Sequence, residues 1–319
     1  MKTKSIKLIS IFIALLLTVS ACKKKNDGTL TFDYRIISES SYANNLLDYQ
    51  TTLEYSSNKI SKVTSTDYAN GISNGNEVYN FTYPSATTLH ATSSSTQGTQ
   101  TTTGTVDITL VNNKVSESIM ISGTDKNKTT ITYNSDGTVN KISSYSYTTT
   151  WILSMEQTYT YTSGKLTQIS EIEYSGTTTY ESKYVYSYSG DELSDEIYSY
   201  KQTGGTWVES YRNVYIYTAG KISNITEYFK SGNAWTISSS NDFTYDSNGN
   251  LIKESSGTYR TDYAYEDGSG NYLLLNEAFG GNNDFYPTPH KKSQNMEMQG
   301  NNFHKFNPGS SLFRGFLNF

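Results

Sequence analysis

Tyrosine alternates with polar residues in short segments along most of this chain. In residues 158–162 (TYTYT) tyrosine occupies every second position, and the same period of two recurs over Tyr184, Tyr186 and Tyr188. A period of two is typical of a β-strand with one buried and one exposed face. Each such segment runs into a turn rich in Gly, Asn or Asp, after which a second segment opens on Leu, Ile or Val. The pattern predicts pairs of antiparallel strands joined by tight turns.

This two-strand unit repeats about every 28 residues. The tyrosine before the turn marks the frame, and its spacings from Tyr133 to Tyr245 are 28, 27, 29 and 28 residues. The frame is irregular in two places, with 23 residues between Leu110 and Tyr133 and 20 between Tyr245 and Tyr265. A fixed period of this length indicates a supersecondary unit that packs against the next unit in the chain. The residues in frame, called the frame tyrosines below, are Tyr55, Tyr83, Tyr133, Tyr161, Tyr188, Tyr217, Tyr245 and Tyr265, with Leu110 in the place of a ninth.

We therefore predict an all-β fold, an antiparallel up-and-down meander of about 14 to 16 strands curled or closed into a barrel-like sheet. Closure is expected because it removes the two edges that a long meander would otherwise expose. The tyrosines should supply cohesion, since burying one stabilises by ~4–6 kcal/mol before entropy is counted. On the face opposite the tyrosines we expect Thr158, Thr160 and Thr162, followed by Glu171 and Glu173. Such a polar face does not suit the lipid-facing side of a transmembrane barrel.

The first residues resemble an export signal. Three lysines precede an apolar run, residues 8–19, that is too short to cross a bilayer. The sequence VSAC follows, and small residues before a cysteine resemble a bacterial lipobox, in which the cysteine is lipidated and the chain is cut before it. Cys22 is the one cysteine of the sequence, so it has no disulfide partner within the chain. We expect residues 1–21 to be a lipoprotein signal peptide and residues 22–30 a lipid-anchored tether; an ordinary signal peptide beside an unrelated cysteine is the alternative.

The charge of the chain excludes one class of partner. The whole sequence has a formal net charge of −5. Residues 1–21 contain three lysines and no acidic residue, so the chain from Cys22 onward carries −8. Because binding to phosphates needs a concentrated basic surface, we expect no nucleic-acid partner.

Two stretches of the repeat resemble a known motif. Residues 245–251 (YDSNGNL) resemble the Y-D-x-x-G-x-L motif of RHS/YD-repeat proteins, and residues 133–139 (YNSDGTV) are a copy with Asn134 in place of the Asp. Other turns, such as YTSGKL, are one residue shorter. Over roughly residues 30–280, the lipobox and the repeats together resemble a family of Bacteroidetes-type lipoproteins described as having a porin-like fold. The resemblance implies a curled or closed antiparallel sheet and no particular activity.

Four aromatic residues are candidates for ligand binding. Trp151, Trp207 and Trp235 each lie eight residues before the first aromatic residue of a strand, and they are 56 and 28 residues apart. Tyr180 takes about the same place in the intervening unit. If the units stack regularly, these rings form a row along one rim, where they would stack on sugar faces or grip an apolar partner. The alternative is that each ring fills the same turn of its own unit.

Lysines also recur, each just after a turn and before an apolar residue. We expect them to be solvated turn residues that discourage edge pairing, with a ladder for a polyanion as the alternative. They are Lys59, Lys114, Lys165 and Lys221.

The remaining polar residues predict no catalytic, metal or cofactor site. His90, His290 and His304 are scattered and form no ligand pair. Residues 246–250 lack the spacing of an EF-hand calcium loop and favour a hairpin turn. The sequence contains no P-loop, no G-x-S-x-G and no C-x-x-C.

These features predict a lipoprotein of the bacterial cell envelope, anchored to the outer membrane on its periplasmic or cell-surface side. We expect a non-catalytic β scaffold or binding module for a glycan or another envelope protein. The alternatives are a carbohydrate-active enzyme and a small outer-membrane pore, which the terminal Phe319 favours because it resembles the ending of outer-membrane barrels. The repeat domain is expected over residues 31–280, with residues 281–319 as a tail or last strand.

Overall fold

The computed structural model describes residues 34–202 and 204–267, which form one antiparallel sheet of 18 strands. No helix occurs in these residues. Cys22 and residues 281–319 lie outside the described residues. The strands are β1 (Tyr34–Ala43), β2 (Leu46–Ser56), β3 (Lys59–Ala69), β4 (Ile72–Thr82), β5 (Thr88–Gln97), β6 (Gln100–Val111), β7 (Lys114–Ser122), β8 (Asp125–Tyr133), β9 (Val139–Tyr147), β10 (Trp151–Thr162), β11 (Lys165–Ser175), β12 (Thr178–Ser189), β13 (Glu192–Gln202), β14 (Val208–Thr218), β15 (Lys221–Ser231), β16 (Ala234–Tyr245), β17 (Leu251–Ser256) and β18 (Tyr259–Asp267).

The sheet closes on itself as an up-and-down barrel. Each strand pairs with its neighbours in the chain, and β1 pairs with β2 on one side and with β18 on the other. Ser41, for example, lies opposite Tyr49 in β2 and opposite Thr261 in β18, and its hydroxyl is 3.0 Å from the Thr261 hydroxyl. Closure leaves no edge strand, which confirms the predicted all-β meander. The 18 strands exceed the predicted 14 to 16, because β1 and nearly all of β2 precede Tyr55, the first residue of the predicted repeat.

The two ends of the barrel differ. The turns that follow the even-numbered strands lie at the end where the frame tyrosines are found, and we call it the tyrosine end. Both the first residue of β1 and the last residue of β18 lie there. The turns that follow the odd-numbered strands lie at the opposite end, which we call the far end.

A layer of tyrosine side chains lies at the tyrosine end. Each of six frame tyrosines donates its hydroxyl to the backbone carbonyl of an apolar residue near the start of the preceding strand. Their side chains are largely buried, and burial raises the pKa of the hydroxyls of Tyr55, Tyr188 and Tyr245. The six bonds, 2.7–2.9 Å long, join Tyr55 to Ile36, Tyr83 to Ile60, Tyr133 to Val115, Tyr188 to Leu166, Tyr245 to Ile222 and Tyr265 to Leu251.

Each recurring lysine lies over a tyrosine ring of this layer, and Lys59 is also exposed to solvent. Each ammonium nitrogen lies 4.6–5.3 Å from the centroid of a frame tyrosine ring, within the range of a cation–π contact. Lys165 also donates to the Gly190 carbonyl and lies 2.7 Å from the Asp191 carboxylate. The four pairs are Lys59 with Tyr83, Lys114 with Tyr133, Lys165 with Tyr188 and Lys221 with Tyr245.

A β-bulge near the tyrosine end resets which residues face inward. In the β10–β11 hairpin the register shifts between Thr160 and Tyr161, which leaves Thr167 as an extra residue in β11. Glu171 therefore pairs with Gln157 and shares the inner face with the tyrosines. The prediction that Glu171 and Glu173 lie opposite the tyrosines is wrong, because one extra residue reverses the alternation that follows it.

We expect Tyr188→Phe to lower the free energy of unfolding by about 1–3 kcal/mol, because it leaves the Leu166 carbonyl without its hydroxyl donor. Urea denaturation followed by circular dichroism measures the change. Tyr174→Phe is the matched control, since Tyr174 is half-exposed on the outer face and water replaces its hydroxyl bonds. Equal losses in the two variants would contradict this role of the tyrosine layer.

Candidate functional site

The far end carries a cluster of aromatic side chains on the inner face of the sheet. The cluster, called the mouth cluster below, consists of Tyr180, Tyr198, Tyr200, Tyr211 and Phe229 on β12 to β15. Four of these side chains are 40–47% exposed, whereas the aromatic residues Tyr184 and Tyr215, further along the same face, are buried. Aromatic rings that remain half-exposed on an otherwise buried face are available to a ligand.

Strand pairing brings these rings together. Tyr198 lies opposite Tyr184 on one side and opposite Tyr211 on the other, and Tyr211 in turn lies opposite Phe229. The Tyr198 ring centroid is 4.9 Å from that of Tyr184 and 6.3 Å from those of Tyr200 and Tyr211. These separations are typical of interacting aromatic pairs. The Tyr198 ring therefore joins rings of β12, β13 and β14 into one set of contacts.

Hydrogen-bonded polar residues lie below the mouth cluster, towards the middle of the barrel. The Glu171 carboxylate accepts from Gln157 Nε2 at 2.7 Å and from the Ser182 hydroxyl at 3.1 Å. The Gln157 oxygen accepts from the Tyr159 hydroxyl at 2.9 Å. All four side chains are buried. This network holds its members in fixed positions and gives the cluster a polar floor.

A second buried carboxylate extends the polar floor towards β14. Glu196 is 1% exposed and accepts from Asn213 Nδ2 at 3.2 Å and from the Tyr215 hydroxyl at 3.4 Å. Burial strongly raises the pKa of the Tyr215 hydroxyl, with the charge of Glu196 as a second cause. Tyr215 therefore stays a hydrogen-bond donor at neutral pH.

Another acidic group lies on the same face at β3 and β4. Glu77 is 4% exposed, and one of its oxygens accepts from the Tyr79 hydroxyl at 2.8 Å. Burial raises the pKa of Glu77 to about 7; the Tyr79 hydrogen bond lowers it and the nearby Asp67 raises it. Burial also raises the pKa of Asp67. Glu77 therefore changes its protonation state near neutral pH.

The four sequence-predicted contact residues lie on two different faces of the far end. Tyr180 belongs to the mouth cluster on the inner face, where it lies opposite Glu173. Trp151, Trp207 and Trp235 lie on the outer face, and each has a lysine ammonium over its ring. The nitrogen-to-centroid distances are 5.0 Å from Lys128 to Trp151, 4.4 and 4.9 Å from Lys183 and Lys201 to Trp207, and 4.6 Å from Lys230 to Trp235.

Sequence reasoning missed most of the mouth cluster. Tyr198 and Tyr200 continue the same period of two as the buried tyrosines, so alternation does not mark them as exposed. Tyr200 is exposed because it lies near the far end of β13, two residues before the strand ends. The sequence does carry one signal for the cluster, a concentration of aromatic residues in the parts of β13 to β15 that lie at the far end.

The described residues contain no group of three or more His, Cys, Asp and Glu side chains able to hold a metal ion. His90 pairs with Asp107 on the outer face, where Nδ1 and Oδ1 are 2.6 Å apart, and both side chains are accessible to solvent. His290 and His304 lie outside the described residues. No helix in residues 34–202 and 204–267 is long and apolar enough to cross a membrane.

No protein-family model and no curated protein matches the chain. Among solved structures it is similar to a porin-like protein from Bacteroides uniformis ATCC 8492, with 10% identity and a TM-score of 0.42 over 74% of this chain and 99% of that one. A porin-like protein from Bacteroides vulgatus ATCC 8482 is similar over 72% of this chain and 98% of its own, with 11% identity and a TM-score of 0.36. The structure of TcdB2-TccC3 is similar over 78% of this chain and 15% of its own, with 10% identity and a TM-score of 0.37. At these scores, the closed barrel is established by the strand pairing of the chain itself.

We expect Glu77→Gln to remove a pH-dependent loss of stability. The folded-state pKa of about 7 lies above the 4.5 of a glutamate in solvent, so the contribution of Glu77 is full below pH 4.5 and is lost as the pH rises through 7. The loss should be about 3 kcal/mol in the free energy of unfolding. Denaturation at pH 4.5 and pH 8 measures it.

In the Gln variant this part of the difference between the two pH values should disappear. Glu54→Gln is the control, because Glu54 lies on the outer face beside Lys62 and its side chain is 60% exposed. If Glu77→Gln keeps the full pH dependence of the wild type, burial does not hold the proton on Glu77.

Proposed function

We propose that this protein is a lipid-anchored, non-catalytic binding module of the bacterial cell envelope, and that its far end binds a glycan or another envelope protein. The observation that carries the proposal is the mouth cluster, a group of mostly half-exposed rings on neighbouring strands beside buried, hydrogen-bonded polar residues. The anchor would be the lipid on Cys22, supported by the lipobox pattern and by the absence of any other cysteine.

A glycan suits the mouth cluster better than a purely apolar ligand does. Tyrosine offers a flat ring for the C–H face of a sugar and a hydroxyl for its polar edge. The Glu171 and Glu196 carboxylates lie below the rings and are already held by neighbouring donors. A sugar ring presents both kinds of surface at once, whereas a lipid tail would leave the tyrosine hydroxyls without partners.

The position of the first strand supports binding at the far end. β1 begins at the tyrosine end, so a tether from Cys22 would join the barrel at that end. The far end would then be the end away from the point of attachment. Trp151, Trp207 and Trp235 lie on the outer side of this same end and are proposed as further contacts with an envelope partner.

The outer face supports tethering rather than a pore. Thr158 and Thr160 are exposed on β10, and an ion pair of 3.0 Å joins Lys141 to Glu156 on the outer face of β9 and β10. Charged and hydroxyl groups in the middle of the strands would be costly in the hydrocarbon core of a bilayer.

A glycan array probed with the full chain, purified in detergent, tests the proposal. We expect a set of glycans to bind, and we expect Tyr200→Ala and Tyr211→Ala each to weaken binding by roughly tenfold through loss of ring stacking. Tyr174→Ala is the matched control, because it removes a half-exposed tyrosine from the outer face. Trp207→Ala separately tests the outer contacts.

Two results would count against the proposal. If no glycan binds, or if the variants of the mouth cluster bind as well as the control, the mouth cluster is not the binding site. If a bound glycan is cleaved and Glu171→Gln abolishes the cleavage while binding persists, the protein is an enzyme and not a binding module.

A further inference from the structure

A basic and aromatic surface lies on the outer face of the far end, on the other side of the sheet from the barrel interior. It consists of Lys126 and Lys128 on β8, Tyr145 and Tyr147 on β9, and Trp151 on β10, and we call it the basic–aromatic patch. The two lysines alternate with the buried, inward-facing Asn127 and Thr129, which places them on the outer face. The patch is thus distinct from the mouth cluster in position and composition.

The side chains of the patch hold one another in place. The Lys128 ammonium lies 4.7 Å from the Tyr145 ring centroid and 5.0 Å from that of Trp151. The Lys126 ammonium lies 5.0 Å from the Tyr147 ring centroid. Tyr147 meets Trp151 edge to face, with centroids 5.1 Å apart. Two positive charges are therefore fixed within one interlocked set of rings.

The two lysines differ from most other lysines of the outer face. Lys141, Lys201 and Lys230 each form an ion pair with a glutamate of a nearby strand, with distances of 2.6–3.1 Å. Among the described residues, neither Lys126 nor Lys128 has a carboxylate within 4 Å of its ammonium. The chain as a whole is acidic, with a formal net charge of −5. Two neighbouring positive charges without acidic partners form a local positive surface on an acidic protein, and such a surface attracts an anionic ligand.

We infer that the basic–aromatic patch binds an acidic glycan, a sugar chain that carries carboxylate or phosphate groups. The inference rests on the proposed function, because the ligand is again a glycan. The anionic substituent would lie between Lys126 and Lys128, and the adjoining sugar ring would lie against the edge of Tyr147 and Trp151. Charge-assisted bonds to the lysines supply specificity for the acid, and the rings supply contact area.

The contacts with the rings prepare the lysines for this role. A free lysine loses considerable rotamer entropy when it is held against a ligand. Lys128 is already held between two rings, so much of that cost falls on folding rather than on binding. An aromatic ring beside an ammonium also excludes water from one side of the charge, which strengthens an ion pair with the ligand.

Titration calorimetry with the full chain in detergent tests the inference. The probes are an oligogalacturonate and a neutral galactose oligosaccharide of the same length. We expect the acidic probe to bind, and the double change Lys126→Gln with Lys128→Gln to weaken that binding about tenfold or more. Raising the salt concentration should weaken it as well, because the lysines are accessible to solvent. Lys62→Gln, which removes one charge from β3, should leave the affinity unchanged.

The two proposals can fail separately. If the neutral oligosaccharide binds through Tyr200 and Tyr211 while the acidic one shows no dependence on the lysines, the patch is not an acid-binding site and the mouth cluster stands. If the acidic probe depends on the lysines while the mouth variants affect no glycan, the patch stands and the mouth cluster does not. Binding to phosphatidylglycerol vesicles through the same lysines, without binding of the acidic probe, would overturn the inference in favour of a lipid surface.

Discussion

The hydrogen bond from a buried tyrosine hydroxyl to a backbone carbonyl is the interaction on which this barrel most depends. It recurs in six of the nine frame positions, always between the end of one strand and the start of the strand before it. A tyrosine in this position buries a large ring and satisfies a backbone group at the same time. Leu110 shows the alternative, since it has no hydroxyl and its own amide donates to the Thr87 carbonyl at 2.8 Å.

This interaction also makes the two ends of the barrel unlike. At the tyrosine end, rings, backbone carbonyls and lysines contact one another in one layer. Towards the far end the inner residues become polar, as with Ser182 and Asn213, and then half-exposed and aromatic, as with Tyr200 and Tyr211. The tyrosine end uses its rings and hydroxyls in contacts of its own, whereas the inner face of the far end keeps half-exposed rings that a ligand can reach. The basic–aromatic patch lies at the same end on the outer face.

The sequence predicts the strands and their closure well, because the period of two and the 28-residue frame act locally and repeat many times. It does not predict which face Glu171 occupies, since that depends on the single extra residue Thr167 in the β10–β11 hairpin. The sequence also does not predict that Tyr180 lies on the inner face and Trp151 and Trp207 on the outer face, because all three occupy similar positions in the repeat. The lipidation of Cys22 and the tail or last strand at residues 281–319 stay predictions.

Spectrophotometric titration of the tyrosines at alkaline pH tests the account most directly. A free tyrosine ionises near pH ~10. Burial raises the pKa of frame tyrosines such as Tyr55, Tyr188 and Tyr245, so they should ionise only when the barrel unfolds. We expect a first class of tyrosines to ionise reversibly while the circular dichroism of the sheet is unchanged. A second class should ionise together with unfolding. A single reversible transition in which all tyrosines ionise while the sheet stays folded would contradict it.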